Sequence, residues 1–97
     1  MFEPDKKRYL TRGANEAIPL ELQIFMWTAI DKMPAPKDYL QVFELTQKDG
    51  VQYILHKSEQ PAYEMTYIIP TIENAVNAKI YVIDSEEYCT MLLAEEY

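Results

Sequence analysis

The chain reads as an α+β domain, one main helix packed on a mainly antiparallel sheet of five to six strands, in the order β-α-β-β-β-β-β. Three observations predict this. One apolar stretch with helical spacing lies between Pro19 and Met33. After Tyr39 the chain falls into strand-length alternating runs divided by turn residues, and Pro34-Ala35-Pro36 separates the two regimes. With 97 residues there is room for a single core, so residues 1–97 are expected to form one domain.

Lys6 to Arg12 predicts a short first strand packing through Tyr9 and Leu10, with Gly13 supplying a turn. The helix follows, with Pro19 suited to a first helical position, Glu21 near its positive end and Lys32 in its last turn. Leu20, Ile24 and Trp27, then Leu22, Met26, Ala29, Ile30 and Met33, with Phe25, make an apolar arc wide enough to predict a largely covered helix. Met33 precedes Pro34, which disfavours helical geometry there and ends the element.

Tyr39–Gln47 and Val51–Lys57 flank Lys48-Asp49-Gly50 as a hairpin. A two-residue turn would pair Lys48 with Val51 and set Phe43 and Leu45 opposite His56 and Ile54. A three-residue turn would pair Gln47 with Val51 and gather Phe43, Leu45, Val51, Tyr53 and Leu55 on one face. The second register segregates apolar from polar residues and is the one expected. Ser58–Ala62 reads as a polar loop, and Tyr63–Ile69 alternates as a half-buried strand. Pro70–Asn77 reads as a connector with some helical character. Ala78–Ile83 and Tyr88–Ala94 form a second hairpin, apolar on both faces and therefore central or covered twice.

Four stretches carry a family resemblance: Arg8-Tyr9-Leu10-Thr11-Arg12-Gly13, Ile18-Pro19-Leu20-Glu21-Leu22-Gln23, Asp38-Tyr39-Leu40-Gln41-Val42-Phe43 and Thr90-Met91-Leu92-Leu93-Ala94-Glu95-Glu96-Tyr97. Through them the chain resembles the domain-of-unknown-function family 960, from Arg8 to Tyr97. The resemblance implies a small cytoplasmic protein of Gram-positive bacteria and their phages. It carries over no catalytic or binding residue.

Charge narrows the function classes. The net charge is −7, divided into +2 over residues 1–12 (Lys6, Lys7, Arg8 and Arg12 against Glu3 and Asp5) and −9 over the rest. So negative a body disfavours nucleic acid and anionic membrane as partners. The Lys6–Arg12 stretch is expected to neutralise acidic strand ends within the molecule. Two glycines are too few for a phosphate-cradling loop. One cysteine, Cys89, allows no internal disulfide, and the start lacks a secretory layout, so a cytoplasmic setting is expected. No apolar run is long enough to span a membrane.

Sets of residues that would carry chemistry are sparse. His56 is the sole histidine, so a zinc set is incomplete. Its functional reading is a pair with a carboxylate, Glu44 sharing its face in the chosen register. Cys89 follows Glu86 and Glu87, whose charge makes a thiol less nucleophilic, so it reads as a packing residue. Asp84, Glu86 and Glu87 lie about 20 Å from Glu95 and Glu96 along the last strand, too far for one acidic site. No catalytic, cofactor or metal residues are therefore assigned, and no enzyme is expected.

Aromatic content is more informative. Eight Tyr, three Phe and one Trp make up 12% of the chain, and Tyr39, Tyr53, Tyr63, Tyr67 and Tyr81 fall on expected strands. One helix covers only part of one sheet face. The expectation is a non-enzymatic interaction module with an acidic, Tyr-containing surface for a protein partner or a second copy. The candidate surface comprises Tyr63, Tyr67, Ile54, His56 and Glu44. A small-ligand binder or enzyme using His56 with a carboxylate is the alternative, and a nucleic-acid-mimicking inhibitor the third.

Overall fold

A computed structural model describes residues 2–70 and 74–97. It has an α+β fold: β1 (Lys7–Leu10), α1 (Arg12–Ala17), α2 (Leu20–Asp31), β2 (Leu40–Lys48), β3 (Val51–Glu59), β4 (Ala62–Ile69), β5 (Ala78–Asp84) and β6 (Tyr88–Leu93), then a 3-10 turn at Ala94–Glu96. The six strands form one sheet in the order β1-β6-β5-β2-β3-β4, parallel only between β1 and β6. Central placement of the β5–β6 hairpin follows from its two apolar faces. Residues 71–73 of the connector expected to have helical character lie outside the described residues, and 74–77 hold no helix.

The β2–β3 turn differs from expectation. Lys48 pairs with Val51 across a two-residue Asp49-Gly50 turn, both turn residues having positive φ (53° and 75°). That left-handed pair twists in the sense of the strands, whereas the extra residue of a three-residue turn would need a bulge. The one-residue difference inverts β3. Phe43 faces His56 and Leu45 faces Ile54 on the helix side, while Val51, Tyr53 and Leu55 turn to the opposite side.

Polar residues on the helix side are tolerated because hydrogen bonds satisfy them. Gln52 Nε2 donates to the carbonyls of Thr46, Tyr53 and Val76, and its Oε1 accepts from the Val76 N–H at 2.7 Å. Gln41 Nε2 donates to the Asp38 carbonyl at 2.9 Å. Asp38 in turn accepts the N–H groups of Leu40, Glu59 and Gln60, tying the start of β2 to the β3–β4 turn. Burial alone would raise the Asp38 carboxyl, but these backbone donors hold it below the ordinary aspartate value.

α2 lies over the side of the sheet that carries Phe43, Ile54, Ile80, Val82 and Met91, burying Leu22, Met26, Ala29 and Ile30 there. Phe25 meets Tyr67 of β4 edge-to-face at 4.9 Å, and the Arg8 guanidinium from β1 lies 4.8 Å over Trp27. Leu20 and Ile24, at 67% and 55% exposure, face solvent, so the helix is covered on one side rather than all round.

α1 was not expected, since Gly13 read as a turn. Thr11 caps this helix by accepting the Ala14 N–H at its Oγ1, 3.2 Å away. Glu96 completes the N-terminus from the far end of the chain, accepting from the Thr11 hydroxyl at 2.7 Å and the Leu93 N–H at 2.8 Å. A Cβ on Gly13 would lie 2.5 Å from Glu96 Oε2, so the glycine makes room for this carboxylate. These contacts, the Thr11 hydroxyl first, lower the Glu96 pKa.

Candidate functional site

The five residues expected to form one surface are divided between the two sides of the sheet. His56 and Ile54 are wholly buried on the helix side of the sheet, at 0% exposure. Tyr63 and Tyr67 pair with Ser58 and Ile54 and so share that covered side. Only Glu44 lies on the uncovered side, with Leu55 and Lys79 as cross-strand partners. The inverted β3 register is the physical cause.

His56 therefore has no carboxylate partner from Glu44. Its ring stacks on Phe43 with centroids 4.2 Å apart and meets Tyr63 edge-on at 5.1 Å. Nε2 lies 2.7 Å from Gln41 Oε1. Because the Gln41 amide nitrogen already donates to Asp38, its oxygen faces the ring and Nε2 carries the proton. Nδ1 and Ser58 Oγ have no hydrogen-bond partner among the described residues. Burial pushes the imidazole pKa down to about 4, so the ring is neutral near pH 7.

Cys89 is likewise enclosed. Burial first, then the Asp84 carboxylate 3.1 Å from Sγ, pushes the thiol up to about 12. Asp84 is the hub of the β5–β6 turn, accepting from Lys6 Nζ at 2.8 Å, the Phe2 N–H at 3.3 Å and the Cys89 thiol. Burial would raise Asp84, but these donors hold it below its ordinary value. The basic stretch thus acts within the molecule: Lys6 on Asp84, Arg8 on Asp31 at the end of α2, Arg12 on Glu16. Buried Phe2, at 1% exposure, belongs to this corner and carries no periodicity signal.

The uncovered side is built by strand alternation. β2 presents Leu40, Val42 and Glu44, β3 presents Tyr53, Leu55 and Lys57, and β5 presents Lys79, Tyr81 and Ile83. Towards the β1 edge, Tyr9 and Tyr88 meet edge-to-face at 5.4 Å, and Tyr97 folds back onto Tyr81 at the same separation. Ile68 of β4 stands 61% exposed. At the β3–β4 turn end a groove of about 820 Å³ opens between Leu40, Val42, Lys57, Ala62 and Glu64.

Charge on this side differs from that of the whole chain. Among its strand residues, Lys7, Lys48, Lys57 and Lys79 stand beside Glu44, Glu59 and Glu64, a balance of +1 on a chain of −7. Lys57 and Glu44 pair at 2.7 Å, lowering the Glu44 pKa chiefly through that bond. The acidic excess expected from the sequence therefore lies outside the strands of this side. Residue type alone could not separate the two sides; the Asp49-Gly50 turn signature, followed strictly, would have done so.

Among the described residues no group of three or more His, Cys, Asp or Glu could hold a metal ion, and no helix is long and apolar enough to cross a membrane. The chain is similar to a solved structure titled "Crystal structure of the protein of unknown function from Enterococcus faecalis". The two are 25% identical, with a TM-score of 0.84 over 99% of this chain and 94% of that one. A search of curated proteins finds no match. The sequence model of a family described as "Staphylococcal protein of unknown function (DUF960)" matches residues 7–96, so every element above lies within it. The chain belongs to the DUF960 family.

Proposed function

We propose that the chain is a non-enzymatic protein-interaction module that docks a protein partner on the uncovered side of its sheet. One observation carries this reading. Leu40, Val42, Tyr53, Leu55, Tyr81 and Ile83 cluster there half-buried, with charge balanced near zero on an otherwise acidic molecule. Contiguous apolar surface with interleaved tyrosines is the composition of interface cores, where charge is depleted. The buried, neutral His56 supports the same reading, because its ring is closed off from solvent, with Phe43, Tyr63 and Gln41 against it.

The test compares tagged wild-type protein with Leu55→Glu and Tyr53→Glu on the uncovered side and Ile24→Glu on the exposed face of α2. Captured proteins are quantified from lysate of the source bacterium. Both uncovered-side variants are expected to lose the captured partner at least tenfold while melting as the wild type does. Ile24→Glu is expected to retain it. Equal capture by all four folded proteins would refute the reading.

A further inference from the structure

The two edges of the sheet are built differently. β1 ends it with four residues that include Lys7 and Arg8. β4 ends it with eight, Ala62 to Ile69, free of lysine, arginine and internal proline. Its pairing with β3 runs without a bulge from Glu59↔Ala62 to Gln52↔Ile69. Met65 and Ile68 are 44% and 61% exposed. Short length, charged residues (lysine above all), proline and bulges are the devices that protect an edge from pairing with another strand, and of these β4 carries only Glu64.

We infer that β4 pairs antiparallel with β4 of a second copy, joining two six-stranded sheets into one of twelve. The docking reading above is not needed for this, since the edge and the uncovered side are separate surfaces. Hairpin alternation fixes which backbone groups have no partner among the described residues. Glu59 and Ala62 close the two-residue β3–β4 turn, so Ala62, Glu64, Thr66 and Ile68 bond inward to β3. Tyr63, Met65, Tyr67 and Ile69 direct their N–H and C=O groups outward.

A two-fold axis through Thr66 uses all four of these residues, pairing Met65 with Tyr67 and Tyr63 with Ile69 of the partner. Glu64 then lies opposite Ile68, so no like charges meet. The Glu64 charge already has Lys57 as its cross-strand neighbour on β3. On the covered side, each Tyr67 brings its Phe25 contact to the seam. Seven paired residues span about 23 Å and bury on the order of 1,000 Å² in total, near the lower limit for specific interfaces. The dimer is therefore reversible rather than obligate. The axis also leaves both uncovered sides facing the same way.

Sedimentation equilibrium from about 1 to 300 µM tests this. The mass is expected to rise from 11.4 kDa towards twice that value. Met65→Pro removes an outward donor while leaving the β3 ladder intact, and Met65→Lys adds edge charge without altering the backbone. Both variants are expected to remain monomeric throughout, with wild-type circular dichroism. Thr66→Cys tests the register. A non-hydrogen-bonded pair has Cα atoms about 4.5 Å apart, within disulfide range, so mild oxidation is expected to cross-link Thr66→Cys well ahead of Ile68→Cys. A wild type monomeric at 300 µM would overturn the proposal, as would dimers that survive both Met65 variants or are lost only with Leu55→Glu. Faster cross-linking at Ile68→Cys would overturn the register.

Discussion

Replacing Phe43 by alanine is expected to cost the fold about 4 kcal/mol, the range for a fully buried aromatic truncated to alanine. Phe43 has 0% exposure, sits mid-strand in β2, stacks on His56 and contributes to the cluster that receives α2. Its strand neighbours His56 and Ile80 are held in register by the sheet ladders, so a cavity there closes only in part. Domains of this size are stable by roughly 5–15 kcal/mol, and the loss would remove a large part of that. Urea unfolding measures it. A loss under 1 kcal/mol would contradict the burial of Phe43 on the helix side.

The second large effect is acid sensitivity through His56. Its imidazole titrates near 6.5 when unfolded and is pushed down to about 4 in the fold by burial. The unfolded chain therefore takes up a proton between these values while the folded chain does not. Stability must fall as pH drops through that window and level off below about 4. The expected loss is about 2 kcal/mol from pH 7 to 5, reaching about 3 kcal/mol by pH 4. Asp38, Asp84, Glu44 and Glu96 have lowered values, so their contributions are lost at lower pH, below the ordinary carboxylate range. Urea midpoints at pH 7, 6 and 5 isolate the histidine. His56→Gln, which can still donate to Gln41, is expected to flatten the slope between pH 7 and 5 whatever its own stability. An unchanged slope in that variant would show the imidazole titrating freely.

The strands were legible in the sequence because their alternation is local: observed bounds lie close to those expected for β2 to β6. α2 was legible for the same reason, from Leu22, Met26, Ala29 and Ile30 to the stop at Pro34. The side on which β3 places its residues was not. Segregating apolar from polar residues favoured the wrong register, because Gln41 is buried with a hydrogen bond to Asp38, Gln52 with bonds to Thr46 and Val76, and His56 with one to Gln41, partners up to 24 residues away. α1 was hidden for a similar reason. Its Gly13 answers to Glu96, at the other end of the chain. Contacts distant in sequence leave no periodicity, so the candidate surface had the right kinds of residue on the wrong faces.

The uncovered side as a docking surface is tested most directly by site-specific photo-cross-linking in the source bacterium. A benzophenone amino acid is placed at Tyr53 in one protein and at Ile24 in another, both exposed enough to accept it. Irradiation is expected to give a discrete adduct with a second, different protein from position 53 and none from position 24. Adducts from position 24 alone, with position 53 silent, would contradict the account.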